Sequence, residues 1–180
     1  MRIIAGNYKS KRIIAPKKLP VRPTTDMAKE ALFNILNNQY HFNEISVLDL
    51  FAGTGNISYE FASRGTEQIV CVDADFGCIK FINKISNELD FNISTIKSDV
   101  FSYLERTKIK SDIIFADPPY DMAMEDFTKI QALVFEKELL LENGMLIIEH
   151  SKYTDLSQLD HFSNQRRYGV SVFSFFEQST

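Results

Sequence analysis

The chain has 180 residues, 44% hydrophobic and 24% charged, the makeup of one ordinary globular domain, which excludes disordered, collagen-like and coiled-coil readings. Two cysteines, Cys71 and Cys78, are too few for a disulfide scaffold. With no C-x-x-C or Cys/His cluster, no metal site is expected, and a reducing, cytoplasmic setting is. There is no 7–15-residue apolar leader and no run of about 18 apolar residues, so neither a signal peptide nor a membrane span is expected. The net charge of −4 conceals an asymmetry. Residues 1–22 hold seven of the 20 basic residues and no acid, so the remainder carries 13 basic and 24 acidic groups. A basic arm on an acidic body suits a polyanion.

Ile3-Ile4-Ala5 and Ile13-Ile14-Ala15 read as two short strands or a small hairpin with a polar tip. Pro16, Pro20 and Pro23 make residues 16–23 an extended linker. A helix follows, capped by Thr24 or Thr25, with Ala28, Ala31, Leu32, Ile35 and Leu36 on one face. From residue 45 strands and helices alternate. The strands fall at Ile45–Leu50, Gln68–Val72, Ile93–Ile96, Ile113–Ala116 and Met145–Ile148. The helices fall at Asn56–Arg64, Phe76–Leu89, Phe101–Thr107 and Glu125–Leu141. Continuous apolar strands joined by helices predict an α/β fold with a parallel sheet covered on both faces. Residues 162–177 read as a closing antiparallel hairpin around Tyr168-Gly169. The whole is one domain, with 1–23 as a basic extension and 24–180 as the core.

In such sheets ligands bind beyond the carboxyl ends of the strands. Asp49, Asp73, Asp99 and Asp117 stand at or near those ends. Any one alone reads as a helix cap; four along one rim read as a polar edge. Asp49-Leu50-Phe51-Ala52-Gly53-Thr54-Gly55 is a glycine loop in which backbone closely approaches a ligand. The carboxylate at its root disfavours a pyrophosphate and suits a cationic or zwitterionic ligand. Asp73 suits the two hydroxyls of a ribose. Both NAD and S-adenosylmethionine carry such a ribose, and the loop favours the second. Ala74 and Phe76 offer apolar surface to an adenine, and Asp99 and the Val100 N–H offer it hydrogen bonds.

Asp117-Pro118-Pro119-Tyr120 is the most specific motif. The prolines hold an extended turn with carbonyls unpaired. Asp117 and the Pro118 carbonyl are two acceptors beside the stacking ring of Tyr120. That set suits the NH₂ of a nucleobase, whose lone pair is conjugated with its ring until both hydrogens are held.

The glycine loop followed by Asp117–Tyr120 resembles class I S-adenosylmethionine-dependent methyltransferases of the amino-methylating type. Arg22-Pro23-Thr24-Thr25-Asp26, Ala28–Asn34 and the basic stretch from Arg2 to Lys18 resemble the RsmD family of 16S ribosomal RNA guanine-N2 methyltransferases, and the likeness runs over residues 2–177. The resemblance implies a Rossmann-like, seven-stranded, mostly parallel sheet with an antiparallel last strand. It implies that Asp49 and residues 51–55 hold the methionine end, Asp73 the ribose, and Asp99 and Val100 the adenine. Asp117, Pro118, Pro119 and Tyr120 would hold the target guanine. Arg22, Thr24 and Thr25 would fold over cofactor or substrate, and Arg2, Lys9, Lys11 and Arg12 would bind RNA. A cytoplasmic monomer is implied, acting on 16S rRNA, naked or in an assembled or assembling small subunit. Ser58 replaces a third glycine and is expected to touch no chemistry.

Other readings stand beside this one. An adenine-N6 methyltransferase usually carries a target-recognition domain for which 180 residues leave no room. A small-molecule methyltransferase leaves the basic arm unexplained. A non-catalytic RNA-binding assembly factor leaves the intact rim unexplained. His41, His150 and His161 are scattered and read as structural. Glu149-His150-Ser151 resembles a hydrolase triad only on paper, because no G-x-S-x-G elbow accompanies it.

Overall fold

The computed structural model describes residues 1–19 and 24–178, and Arg22 lies outside them. The strands are β1 (Ser46–Leu50), β2 (Gln68–Asp73), β3 (Ile93–Lys97), β4 (Ser111–Ala116), β5 (Leu140–Ser151), β6 (Phe162–Tyr168) and β7 (Ser171–Glu177). They form one sheet in the order β3-β2-β1-β4-β5-β7-β6, in which β7 alone runs against the others. The helices are α1 (Asp26–Leu36), α2 (Asn56–Ser63), α3 (Phe76–Glu88), α4 (Val100–Arg106) and α5 (Met124–Glu136).

Side chains alternate across the sheet with period two. Val47, Cys71, Phe115, Ile147 and Phe173 enter the core beneath α1, α2 and α3. Leu48, Val72, Ile114, Ile148 and Phe176 enter the core beneath α4 and α5. The strand order reverses between β1 and β4, and the crevice of the sheet opens there.

One element departs from the sequence reading. The expected helix Glu125–Leu141 stops at Glu136, and Leu140 and Leu141 begin β5. The Leu139 N–H bonds the Val134 carbonyl and the Glu138 N–H bonds that of Phe135, with Glu138 at φ 51. This is a Schellman stop. It is made by a glutamate in place of the usual glycine, and the apolar run continues past it. The expected N-terminal hairpin is present as a short antiparallel pair, a bridge between Arg2 and Arg12 flanked by backbone bonds joining Met1 with Ile13 and Ile3 with Lys11 and Ser10. Between them the chain leaves its partner strand to dock on α2. The Asn7 N–H bonds the Ser63 carbonyl at 2.7 Å. Gly6 has φ +83, and a Cβ there would lie 1.8 Å from that same carbonyl, so only glycine allows the approach.

Candidate active site

A cavity of about 520 Å³ opens at the carboxyl ends of β1, β2 and β4, within the usual range for small-molecule sites. Its β1–β2 side is a strained loop. Phe51, Gly53 and Gly55 all have positive φ, 58°, 54° and 81°, and the left-handed Phe51 is the costly one. The turn aims the Gly53 N–H at Asp73 Oδ2, 2.8 Å away, while Asp73 Oδ1 accepts the Asp75 N–H at 2.8 Å. Each oxygen of the Asp73 carboxylate keeps a second lone pair. Asp49 lies at the foot of the loop, 2% exposed. Its Oδ2 accepts the Ser58 hydroxyl at 2.6 Å, and Ser58 also lies 3.0 Å from Cys71 Sγ. Burial pushes the Asp49 carboxyl up to about 7; the Ser58 bond opposes the rise and the charge of Asp73 adds to it. Ser58 therefore holds a carboxyl of the site, which corrects the expectation that it touches no chemistry.

The β4 side carries Asp117, tied to β1 by its N–H on the Leu50 carbonyl at 3.4 Å. The Pro119 carbonyl closes a turn onto the Met122 N–H at 3.0 Å, whereas the Pro118 carbonyl accepts no bond among the described residues. Tyr120 is 43% exposed, with its hydroxyl 3.5 Å from Ser171 Oγ. Burial, then the charges of Glu149 and Asp49, push the Asp117 carboxyl well above the usual range.

Behind the cavity a buried polar chain runs to the N-terminal arm. Thr24 Oγ1 donates to Glu149 Oε2 at 2.7 Å, and Asn56 Nδ2 donates to the Thr24 carbonyl at 3.1 Å. Lys29 Nζ donates to Asn56 Oδ1 at 2.8 Å and to the Arg2 carbonyl at 2.7 Å. Lys29 also faces Glu60 at 3.4 Å. The fully buried Glu60 accepts the Ile4 and Ala5 N–H groups at 2.8 and 3.0 Å, and Arg64 at 2.9 Å. Removing one member of such a cluster strands a buried charge, so the arm is clamped to the core. Ile3 and Ile13 are buried, and Lys9, Lys11 and Arg12 face solvent.

Among the residues expected to hold the cofactor, Asp49, Phe51, Ala52, Gly53, Thr54, Asp73, Ala74, Asp99 and Val100 line the cavity, together with Asp117–Tyr120 and Thr24. Gly55 stands behind it, where a Cβ would lie 2.7 Å from the Tyr59 ring. Asp99 is exposed and caps α4, its Oδ1 accepting the Ser102 N–H at 2.9 Å. Thr25 caps α1 through the Ala28 N–H. Arg2 and Arg12 line a separate small groove with Met1 and Asp26, and Arg2 bonds Asp26 at 3.1 Å.

The sequence reading did not assign Asn56, Ile57, Asp75, Cys78 and Phe115, which also line the cavity. Apolar and capping positions give no signal apart from the fold. The Cys78 thiol is pushed up to about 12, chiefly by burial, which keeps it protonated and unreactive. His150 bonds Ser174 Oγ at 2.8 Å and enters the α5 side next to Phe127. Glu149 and Ser151 face the other way, so no triad forms. Among the described residues no helix is long and apolar enough to cross a membrane.

A sheet of this order with one antiparallel strand, and a cavity at its reversal, defines the class I methyltransferase fold. The chain matches the family model described as Conserved hypothetical protein 95 over residues 1–177 and belongs to that family, the RsmD family. It is 32% identical over 163 residues to the "Putative rRNA methyltransferase YlbH" of Bacillus subtilis, covering 88% of this chain and 86% of that one. It is 31% identical over 150 residues to the Ribosomal RNA small subunit methyltransferase D of Buchnera aphidicola subsp. Baizongia pistaciae, covering 83% and 75%. The structure of the "Putative methyltransferase yhhF" from Escherichia coli superposes with a TM-score of 0.84 at 24% identity, covering 98% of this chain and 96% of that one.

Proposed function

We propose that this protein transfers a methyl group from S-adenosylmethionine to the exocyclic N2 amine of a guanine in small-subunit (16S) ribosomal RNA. The observation that carries the reading is that Asp117-Pro118-Pro119-Tyr120 opens onto the same cavity as Asp49, Gly53 and Asp73. Amine acceptors and a polar nucleoside rim thus share one space. The ribosomal RNA substrate is supported by the names of both relatives, and the small subunit by that of the Buchnera protein.

The donor fits the groups that are present. Asp49 makes no ion pair among the described residues and is held only by Ser58 among them, so a cationic ligand would relieve its burial. Asp73 has the lone pairs for a ribose, with Ala74, Asp99 and Val100 beyond it for the adenine. The bound donor supplies a methyl group on a positively charged sulfur.

The rest of the task belongs to the chain. Asp117 and the Pro118 carbonyl accept the two amine hydrogens, which takes the nitrogen lone pair out of conjugation and aims it at the methyl carbon. Tyr120 stacks on a base that has left its helix, so a loop or flipped nucleotide is the expected target. Positioning and electrostatics do the catalysis, without a covalent enzyme intermediate. Lys9, Lys11 and Arg12 hold RNA phosphates, and the clamped arm fixes them relative to the cavity. The protein acts as a monomer in the cytoplasm, on RNA of an assembled or assembling subunit.

The test is transfer of labelled methyl groups to small-subunit RNA or particles lacking the modification, followed by digestion to nucleosides. Label in N2-methylguanosine is expected. Label in N6-methyladenosine, in a carbon-methylated base or in no nucleoside overturns the reading.

A further inference from the structure

Glu149 is 1% exposed and has no task in the reaction as described above. Its neighbour across the sheet is Asp117. Ala116, the last residue of β4, and Ile148 of β5 are paired in register; Asp117 is the first residue past β4, and Glu149 is the next residue of β5. Alternation sends both toward the α1–α3 side, on the row that already holds Phe115 and Ile147. Glu149 Oε2 accepts the Thr24 hydroxyl at 2.7 Å, and Oε1 has no hydrogen-bond partner. A buried carboxyl with one empty oxygen, beside a second carboxyl, is unfavourable while both are ionised.

No counter-charge among the described residues relieves it. The segment before α1 offers the Thr24 hydroxyl, and β7 offers that of Ser171. From β1, Asp49 adds another acid. His150, next along β5, faces the opposite side and is engaged by Ser174. The buried Lys29 is committed to Arg2, Asn56 and Glu60. Burial pushes both carboxyls up, and the charge of Glu149 pushes Asp117 further.

We propose that Glu149 is a positioning residue acting through Asp117, the two carboxyls sharing one proton and together carrying one negative charge. This role rests on the methyl-transfer reading above. Transfer forms a C–N bond from the amine's lone pair and breaks the C–S bond, whose electrons stay on sulfur. Positive charge leaves sulfur and resides on nitrogen until nitrogen sheds a proton. Asp117 touches the amine and takes that proton, and the carboxyl pair ends neutral. A fully protonated pair could not accept the proton. A doubly ionised pair would leave a negative charge buried beside a neutral product.

Two measurements on Glu149→Gln test this, one of them independent of activity. The amide keeps the volume and an oxygen for Thr24. In infrared difference spectra of the protein without ligand, recorded in an Asp49→Asn background because Asp49 itself is raised to about 7, one protonated-carboxyl band is expected to remain at neutral pH. Both Glu149→Gln and Asp117→Asn are expected to lose it. A band that survives in either variant shows that one buried group holds the proton alone, and overturns the pair. In single-turnover methyl transfer, wild type is expected to slow at alkaline pH as the pair loses its shared proton, and Glu149→Gln, whose Asp117 carries the single charge without that proton, is expected to lose this alkaline limb, with donor affinity unchanged. A rate lowered equally at every pH marks a structural role and overturns the proposal. If Glu149→Gln does not fold, Glu149→Asp takes its place beside Asp117→Asn: a band that shifts in the first and vanishes in the second upholds the pair, and a band unmoved by Glu149→Asp overturns it. The band together with a wild-type protein that methylates no RNA upholds the shared proton and overturns the reaction assigned to the site.

Discussion

The β1–β2 side of the cavity and its β4–β5 side are both built on carboxyls, and they hold them in opposite ways. Asp73 sits in a loop whose backbone has been bent, at the expense of a left-handed Phe51, to bring the Gly53 and Asp75 N–H groups onto its two oxygens. Asp117 and Glu149 have no such backbone donors. They stand side by side, with the Thr24 hydroxyl at 2.7 Å on Glu149 Oε2, the Ser171 hydroxyl nearby and no hydrogen-bond partner on Oε1. A carboxylate fixed by N–H groups is a rigid charged acceptor suited to binding hydroxyls. A crowded, poorly solvated pair responds to protons and suits a reaction that releases one. Asp49 lies between these extremes, buried but with a single strong hydroxyl bond.

The contrast is broken most severely at Asp117. Asp117→Ala is expected to slow single-turnover methyl transfer by about a hundredfold or more, the scale for losing one preorganised electrostatic group. Donor affinity by calorimetry should stay near wild type, and Asp117→Asn, which keeps an acceptor, should be milder. Full-rate transfer by the alanine variant would remove Asp117 from the chemistry.

Asp73→Ala should do the reverse. Losing two ribose hydrogen bonds at about 1.5 kcal/mol each weakens donor binding about a hundredfold, while the rate at saturating donor changes little. Calorimetry with unchanged affinity would take Asp73 out of the site.

Neutralising Lys9, Lys11 and Arg12 together should flatten the salt dependence of RNA binding by about two to three units of slope, at roughly 0.7–0.9 per phosphate, and leave donor affinity alone. An unaltered slope means that the arm faces away from the RNA.

Asp49 makes the middle of the comparison measurable by pH. Its carboxyl is raised to about 7 from about 3.9 unfolded. Between those values the folded protein binds the extra proton, so this group's contribution to stability falls as pH rises through that window. Asp49→Asn should remove that slope in chemical denaturation. A cationic donor favours the ionised form, so its binding should release a proton near pH 6–7. Affinity should then rise by up to about tenfold per pH unit toward 7 and level off above it. Proton uptake on binding, read by calorimetry in buffers of different ionisation enthalpy, would contradict this.

The smallest effect is expected at Ser58. Ser58→Gly removes the 2.6 Å bond to Asp49, a loss of about 1 kcal/mol, or roughly fivefold in donor affinity. Unchanged affinity and an unchanged Asp49 titration would reduce Ser58 to packing.

Much of the site was legible because its parts are local. The glycine loop and Asp117–Tyr120 are contiguous, and each ends an apolar run that reads as a strand. The rim acids were less legible. Asp99 looked like the equal of the other three, but it is an exposed cap at the outer edge of the sheet. Glu149 looked like part of a paper triad, and it is the acid that stands next to Asp117. Ser58 looked inert because nine residues separate it from Asp49 along the chain, and only the packing of α2 on β1 brings them together.

The sequence by itself determined the alternation of strands and helices, the strand ends where ligands bind, the two motifs and the asymmetry of charge. Each follows from neighbours within a few residues, through periodicity, turn chemistry and side-chain type. Only the tertiary structure decided which acids share a face, since strand order and register, not spacing along the chain, set Asp73, Asp49, Asp117 and Glu149 across β2, β1, β4 and β5. It also decided that the basic arm is clamped, because Lys29 and Glu60 lie 31 positions apart and meet only when α1 and α2 pack. Burial gives these contacts their force: a charge or an unpaired oxygen matters most where water cannot reach it, and no stretch of sequence says where that will be.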